Sequence, residues 1–99
     1  MSILHLVRRS AFETQDLAQC LLNITVEDKV ILMDDGCYNL HHPLIEQVKA
    51  LCSVDIIGIH AQARAVSLMA VEKNSTLGII SIDELTELMI NFDATCTWQ

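Results

Sequence analysis

Apolar residues fall into short runs along this chain, with helix-spaced stripes between them. Ile3-Leu4-His5-Leu6-Val7 reads as a first strand, Lys29 to Met33 as a second, Val54 to Ile59 as a third and Leu77 to Ile80 as a fourth. Ile56, Ile57 and Ile59 make the third run apolar on both faces, as expected of a central strand. Between the first two strands, Leu17, Cys20, Leu21 and Ile24 recur at i, i+3, i+4 and i+7, one face of a helix that Thr14 is placed to cap. Pro43 suits the first turn of a second helix, with Leu44, Val48 and Leu51 as its buried stripe. His60 to Val71, rich in alanine, leucine and methionine, reads as a third helix, followed by a turn at Asn74-Ser75-Thr76. Ser81-Ile82-Asp83-Glu84 is a capping box that opens a fourth helix, with Leu85, Leu88 and Met89 inward and Asn91 at its end. Thr95 to Trp98 is short and β-prone and reads as an added strand. The alternation predicts a doubly wound α/β sandwich, three layers deep, with a mainly parallel five-stranded sheet and right-handed crossovers.

Composition narrows the function classes. At 99 residues, with three glycines, one proline and no repeat or low-complexity segment, one domain over residues 1–99 is expected. Apolar residues make up 52%, which excludes disorder and is high enough that partners are expected to cover some of the surface. Six basic residues against thirteen acidic ones leave a net charge of −7. A nucleic-acid surface needs many phosphate contacts, so no direct nucleic-acid binding is expected. No run approaches ~18 apolar residues, so no membrane span is expected. Met1-Ser2 leads straight into a strand, so no signal peptide is expected. Four dispersed cysteines with no CxxC spacing favour free thiols in a reduced cytoplasm over a zinc site.

Candidate chemistry collects around Asp34-Asp35-Gly36-Cys37-Tyr38, at the carboxyl end of the second strand, the edge where open parallel sheets place their crevices. Asp34 and Asp35, as neighbours on an extended chain, point apart, which disfavours a shared proton and favours capping or contacts between subunits. His5, His41, His42 and His60 lack the i, i+4 spacing of a metal pair; convergence of His41 and His60 at the sheet edge is one alternative to their being ordinary polar residues. Arg8-Arg9 either steers an acidic partner or RNA, or is a solvated loop. Gly36, Gly58 and Gly78 are too far apart to form a phosphate loop, and nothing implies a cofactor.

Three stretches carry a family resemblance: Leu4-His5-Leu6-Val7-Arg8-Arg9-Ser10-Ala11-Phe12, then Asp35-Gly36-Cys37-Tyr38, then Ile79-Ile80-Ser81-Ile82-Asp83-Glu84-Leu85 leading to Trp98. Their order and spacing resemble the TusB/DsrH family over nearly the whole chain. The resemblance implies a parallel five-stranded sheet and a subunit of a sulfur-relay complex, assembled with two sister subunits of the TusC/TusD (DsrF/DsrE) type into a heterohexamer. One branch serves 2-thiolation of the tRNA wobble uridine, the other dissimilatory sulfur oxidation. The oligomeric state of the isolated chain, homo-oligomers included, is left open. Many members carry an Ala-Arg-Gly-Leu-like segment; here Ala65-Val66-Ser67-Leu68 lacks the arginine and glycine.

In the catalytic sister subunit the sulfur-accepting cysteine lies just after the third strand. The matching Ile59-His60-Ala61 has none, and no cysteine occurs from Ser53 to Thr95, so a structural rather than a sulfur-carrying subunit is expected. The alternative is a DsrH-like carrier using Cys20, where some members of the sulfur-oxidation branch also hold a cysteine; against it, Cys20 lies on the apolar helix face as a small hydrophobe. Cys37 is the weaker candidate, because Asp34 and Asp35 would raise its pKa. Cys52 and Cys96 read as core or edge residues. Asp35, Gly36, Tyr38 and His60 are the candidate crevice or subunit-interface residues.

Overall fold

A computed structural model describes residues 1–69 and 77–99. The strands are β1 (Ile3–Val7), β2 (Lys29–Leu32), β3 (Ser53–Ile57), β4 (Leu77–Ile80) and β5 (Ala94–Trp98). The α-helices lying wholly among the described residues are α1 (Asp16–Leu21), α2 (Leu44–Leu51), α3 (Gly58–Ala63) and α4 (Ile82–Asn91), and a 3₁₀ helix spans Asp34–His41. The sheet runs β4-β3-β2-β1-β5, and each neighbouring pair is parallel. The chain steps from β1 to β4 in one direction, then α4 carries it back across three strands to place β5 beside β1.

Strand alternation sorts the core into two layers. Val7, Val30, Leu32, Val54 and Ile56 meet Leu17 and Cys20 of α1, Ile45 and Val48 of α2, and Cys37 of the 3₁₀ helix. On the opposite face Leu4, Leu6, Ile31 and Ile57 meet Leu85 of α4, with Leu88 and Phe92 against them. The expected α/β sandwich with its parallel five-stranded sheet is therefore the observed one.

Several local expectations are corrected. The third strand ends at Ile57, because Gly58 already begins α3. The helix expected over His60–Val71 breaks after Ala63; Arg64 and Ala65 turn, and Ala65 has φ 54°, a left-handed conformation that ends a right-handed helix. The remainder of that helix beyond Met69, and the turn expected at Asn74-Ser75-Thr76, lie outside the described residues. Leu51 is exposed and Ile45 takes the inward place in α2; Met89 is likewise half exposed on α4. The capping box forms as expected: Ser81 Oγ accepts from Glu84 N–H at 3.1 Å, and Glu84 Oε1 accepts from Ser81 N–H at 3.2 Å. Asn91 does end α4, but the chain leaves through extended Phe92 rather than through a left-handed cap.

Candidate functional site: a cleft at the carboxyl edge of the sheet

The loops after β1, β2 and β5 and the end of α3 enclose a polar cleft of about 490 Å³, lined in part by Arg8, Arg9, Asp34, Asp35, Arg64 and Gln99. It lies beside β1, where the chain's progress across the sheet reverses, the place open α/β sheets use for ligands. Asp34 holds φ 51°, which an aspartate tolerates better than most residues. This turn aims the two carboxylates at different arginines. Arg8 Nε donates to Asp34 Oδ2 at 2.7 Å, and Arg64 Nε donates to Asp35 Oδ1 at 2.8 Å. Arg8 Nη1 also donates to Gln99 Oε1 at 2.9 Å, joining the loop after β1 to the end of β5. The expectation that Asp34 and Asp35 do not share a proton agrees with these separate partners, although the backbone there is 3₁₀ rather than extended.

His60 is locked into the same cluster. Its Nδ1 accepts from the Asp34 backbone N–H at 3.0 Å, so the proton of the neutral ring sits on Nε2. Arg64 Nη1 donates to the His60 carbonyl at 3.3 Å. Gly36 is buried, and a Cβ built there would run into the Val7 carbonyl, which already accepts from Met33 N–H at 3.1 Å. Glycine is thus required by close approach of the 3₁₀ helix to β1. Asn39, also buried, clamps the loop after β1: its Oδ1 accepts from Ala11 N–H at 2.7 Å and its Nδ2 donates to the Arg9 carbonyl at 3.0 Å.

Tyr38 does not line the polar cleft. It borders an adjoining hollow of about 340 Å³ with Phe12, Glu13, Asp35 and His41. Phe12 is 62% exposed and meets His42 edge-on at 4.7 Å between ring centroids. Of the four crevice candidates, Asp35 and His60 are brought to the cleft cluster, Gly36 supports it from below, and Tyr38 faces the hollow beside it. His41 borders that hollow, while His60 is held at Asp34. Among the described residues no three His, Cys, Asp or Glu side chains are placed to hold a metal ion.

Three of the four thiols lie away from solvent. Cys20 is fully buried, and that burial first, then the neighbouring Cys52 and Cys96, pushes its pKa up to about 12. Burial likewise pushes Cys37 up to about 12, against a lowering influence from Arg64 and with Asp34 and Asp35 adding to the rise; its Sγ faces the Leu32 carbonyl at 3.7 Å. Burial raises Cys52 to about 11, and Cys96, on β5, is the one partly exposed thiol. A buried protonated thiol is a weak sulfur nucleophile.

Arg64 was not anticipated from the sequence. A single arginine between Ala63 and Ala65 gives no local signal of its distant partner Asp35. Ala65, which follows the arginine, holds a left-handed backbone that suits glycine better than alanine.

A family model for DsrH-like proteins matches residues 9–95. The chain belongs to the DsrH-like family. Membership makes it a subunit related to sulfur relay. Its fold is similar to the crystal structure of the ychN protein from E. coli, with a TM-score of 0.72 at 15% identity, covering 99% of this chain and 100% of that one. It is also similar to the solution structure of protein Tm0979 from Thermotoga maritima, with a TM-score of 0.63 at 21% identity, covering 92% and 93%. At these identities the two likenesses speak to fold. A search of curated proteins finds no match. No helix among the described residues is long and apolar enough to cross a membrane.

Proposed function

We propose that this DsrH-like chain is a structural subunit of a cytoplasmic sulfur-relay complex that serves 2-thiolation of the tRNA wobble uridine. It assembles with two sister subunits of the TusC and TusD type into a heterohexamer and does not carry sulfur itself. The observation that carries the reading is the burial of Cys20, Cys37 and Cys52. A relay thiol must reach a partner's persulfide and attack as thiolate, and these three do neither in this fold. The edge just beyond β3, where the catalytic sister holds its cysteine, carries His60, tied to Asp34. The acidic balance of −7 supports docking against more basic sisters, and the Arg8–Asp34 and Arg64–Asp35 pairs give the cleft a fixed surface for them to meet.

The test is coexpression with both sister subunits, followed by light scattering of the purified assembly. The reading expects a single species with the mass of two copies of each chain. A chain that elutes alone, as monomer or homo-oligomer, while its sisters pair with one another, would overturn it.

A further inference from the structure

The cleft shares an anchor with a buried polar triplet on the neighbouring face. His5 is 2% exposed, within β1, and Asp28 is 3% exposed, just before β2. His5 Nε2 and Asp28 Oδ2 are 2.9 Å apart, and Trp98 Nε1–H donates to His5 Nδ1 at 3.1 Å. The two rings stack at 29° with centroids 6.2 Å apart. The indole N–H can only donate, so His5 Nδ1 must be an acceptor and the neutral ring carries its proton on Nε2, directed at Asp28. Asp28 accepts in addition from Ile3 N–H at 3.0 Å and Thr25 N–H at 3.1 Å.

Only one protonation state of His5 fits this arrangement. A second proton must go to Nδ1, which turns it into a donor facing the Trp98 donor. The imidazolium keeps its Nε2–H on Asp28. The indole loses its acceptor and must turn off. Trp98 is followed at once by Gln99, whose side chain holds Arg8 at the cleft, and Arg8 N–H also donates to the Trp98 carbonyl at 3.4 Å.

We propose that the His5–Trp98 hydrogen bond is a proton-operated latch on the cleft: protonation of His5 at Nδ1 releases the Trp98 indole and with it the β5 end that carries Gln99. The other titratable groups around the couple leave this step to His5. Asp28 stays a carboxylate: burial pushes its pKa up, but hydrogen bonds from His5, Ile3 and Thr25 outweigh it and hold it below its ordinary 3.8. Cys20 from α1 and Cys52 from the end of α2 stay neutral thiols. Cys96 is the register partner of His5 on β5. The exposed Met1 ammonium and Glu27 pair with each other at 3.0 Å. The latch stands whether or not the chain joins a relay complex.

Trp98 is the only tryptophan, so its indole N–H gives one resonance in a proton–nitrogen correlation spectrum and its emission is the only tryptophan signal. The full chain is titrated from roughly pH 8 to 5. The expected result is a shift of the indole resonance with loss of its exchange protection, and a red shift of emission, all following the same single-proton curve as the His5 ring signals. Gln99 and Arg8 side-chain signals move along that curve, and the backbone amides of α2 and β3 do not. An indole resonance that keeps its position and protection down to pH 5 overturns the latch, whether His5 has titrated or not. The His5→Gln variant is expected to show a flat emission profile over the same range; a wild-type-like transition in the folded variant would also overturn it.

Discussion

Asp28→Asn is the substitution whose cost follows most directly from the geometry. The carboxylate is a pure acceptor serving three donors, at 2.9, 3.0 and 3.1 Å, all at a site nearly closed to water. An amide has one oxygen, so in either orientation its NH₂ faces a donor. The better orientation keeps Thr25 and His5 on the oxygen and strands Ile3 N–H. It still loses the charge assistance in the two bonds that remain. Turning the His5 ring proton to Nδ1 to accept from the amide is no remedy, because that position must accept from Trp98. One stranded buried donor and two weakened bonds to a formerly charged group come to about 2–4 kcal/mol. Against a total stability of roughly 5–15 kcal/mol this is a large fraction. In urea the midpoint is expected to fall by about 1.5–3 M with the slope unchanged. The pH dependence has a defined sign. The Asp28 pKa lies below 3.8 in the folded protein, so its contribution is complete above about pH 4–5 and is lost as pH falls through the folded value. The difference between wild type and Asp28→Asn is therefore expected to shrink once pH falls below the ordinary carboxylate value of 3.8. A midpoint change below about 0.5 M at neutral pH, or a difference that does not shrink in that acid range, would refute the reasoning.

Other substitutions probe the site's frame and the thiols. Gly36→Ala is expected to cost at least ~2 kcal/mol by thermal or urea unfolding, because the new methyl meets the Val7 carbonyl, backbone rather than a movable side chain. Ala65→Gly is expected to stabilise by about 0.5–1 kcal/mol, since relief of a left-handed alanine exceeds the added chain entropy; a loss of stability would contradict the φ of 54° there. Titration of native thiols at pH 8 is expected to modify Cys96 first, with Cys20, Cys37 and Cys52 reacting only on unfolding, because buried thiols of pKa about 12, or about 11 for Cys52, are only about one part in ten thousand to one in a thousand thiolate at that pH.

The strands were legible because a sheet buried on both faces writes near-continuous apolar runs, as Val30-Ile31-Leu32 and Ile56-Ile57 do. The capping box was legible because it is local: both of its hydrogen bonds span three residues. What the sequence obscured was set at long range. The alanine-rich stretch after His60 has helical propensity, yet Ala65 turns left-handed and Val66 folds into the core layer. Asp34 to His41 looked like a loop, but tucking Gly36 under Val7 coils it into 3₁₀ turns. The cleft's ion pairs join residues 26 and 29 positions apart, and the Trp98–His5 bond spans 93, separations that no local pattern reveals. The acidic motif was therefore found, while Arg64 and Gln99, which line the cleft, and Asn39, which clamps one of its loops, were not.

The central claim is that the chain supports sulfur relay without a thiol of its own. Its most direct test is a variant with Cys20→Ala, Cys37→Ala, Cys52→Ala and Cys96→Ser, assembled with the sister subunits and its mass confirmed by light scattering. Persulfide transfer through that complex, read as 2-thiouridine formed in tRNA, is the measurement. The account predicts transfer equal to that of the wild-type assembly. Intact assembly with transfer abolished, and restored by returning one cysteine, would contradict it and make that residue a carrier.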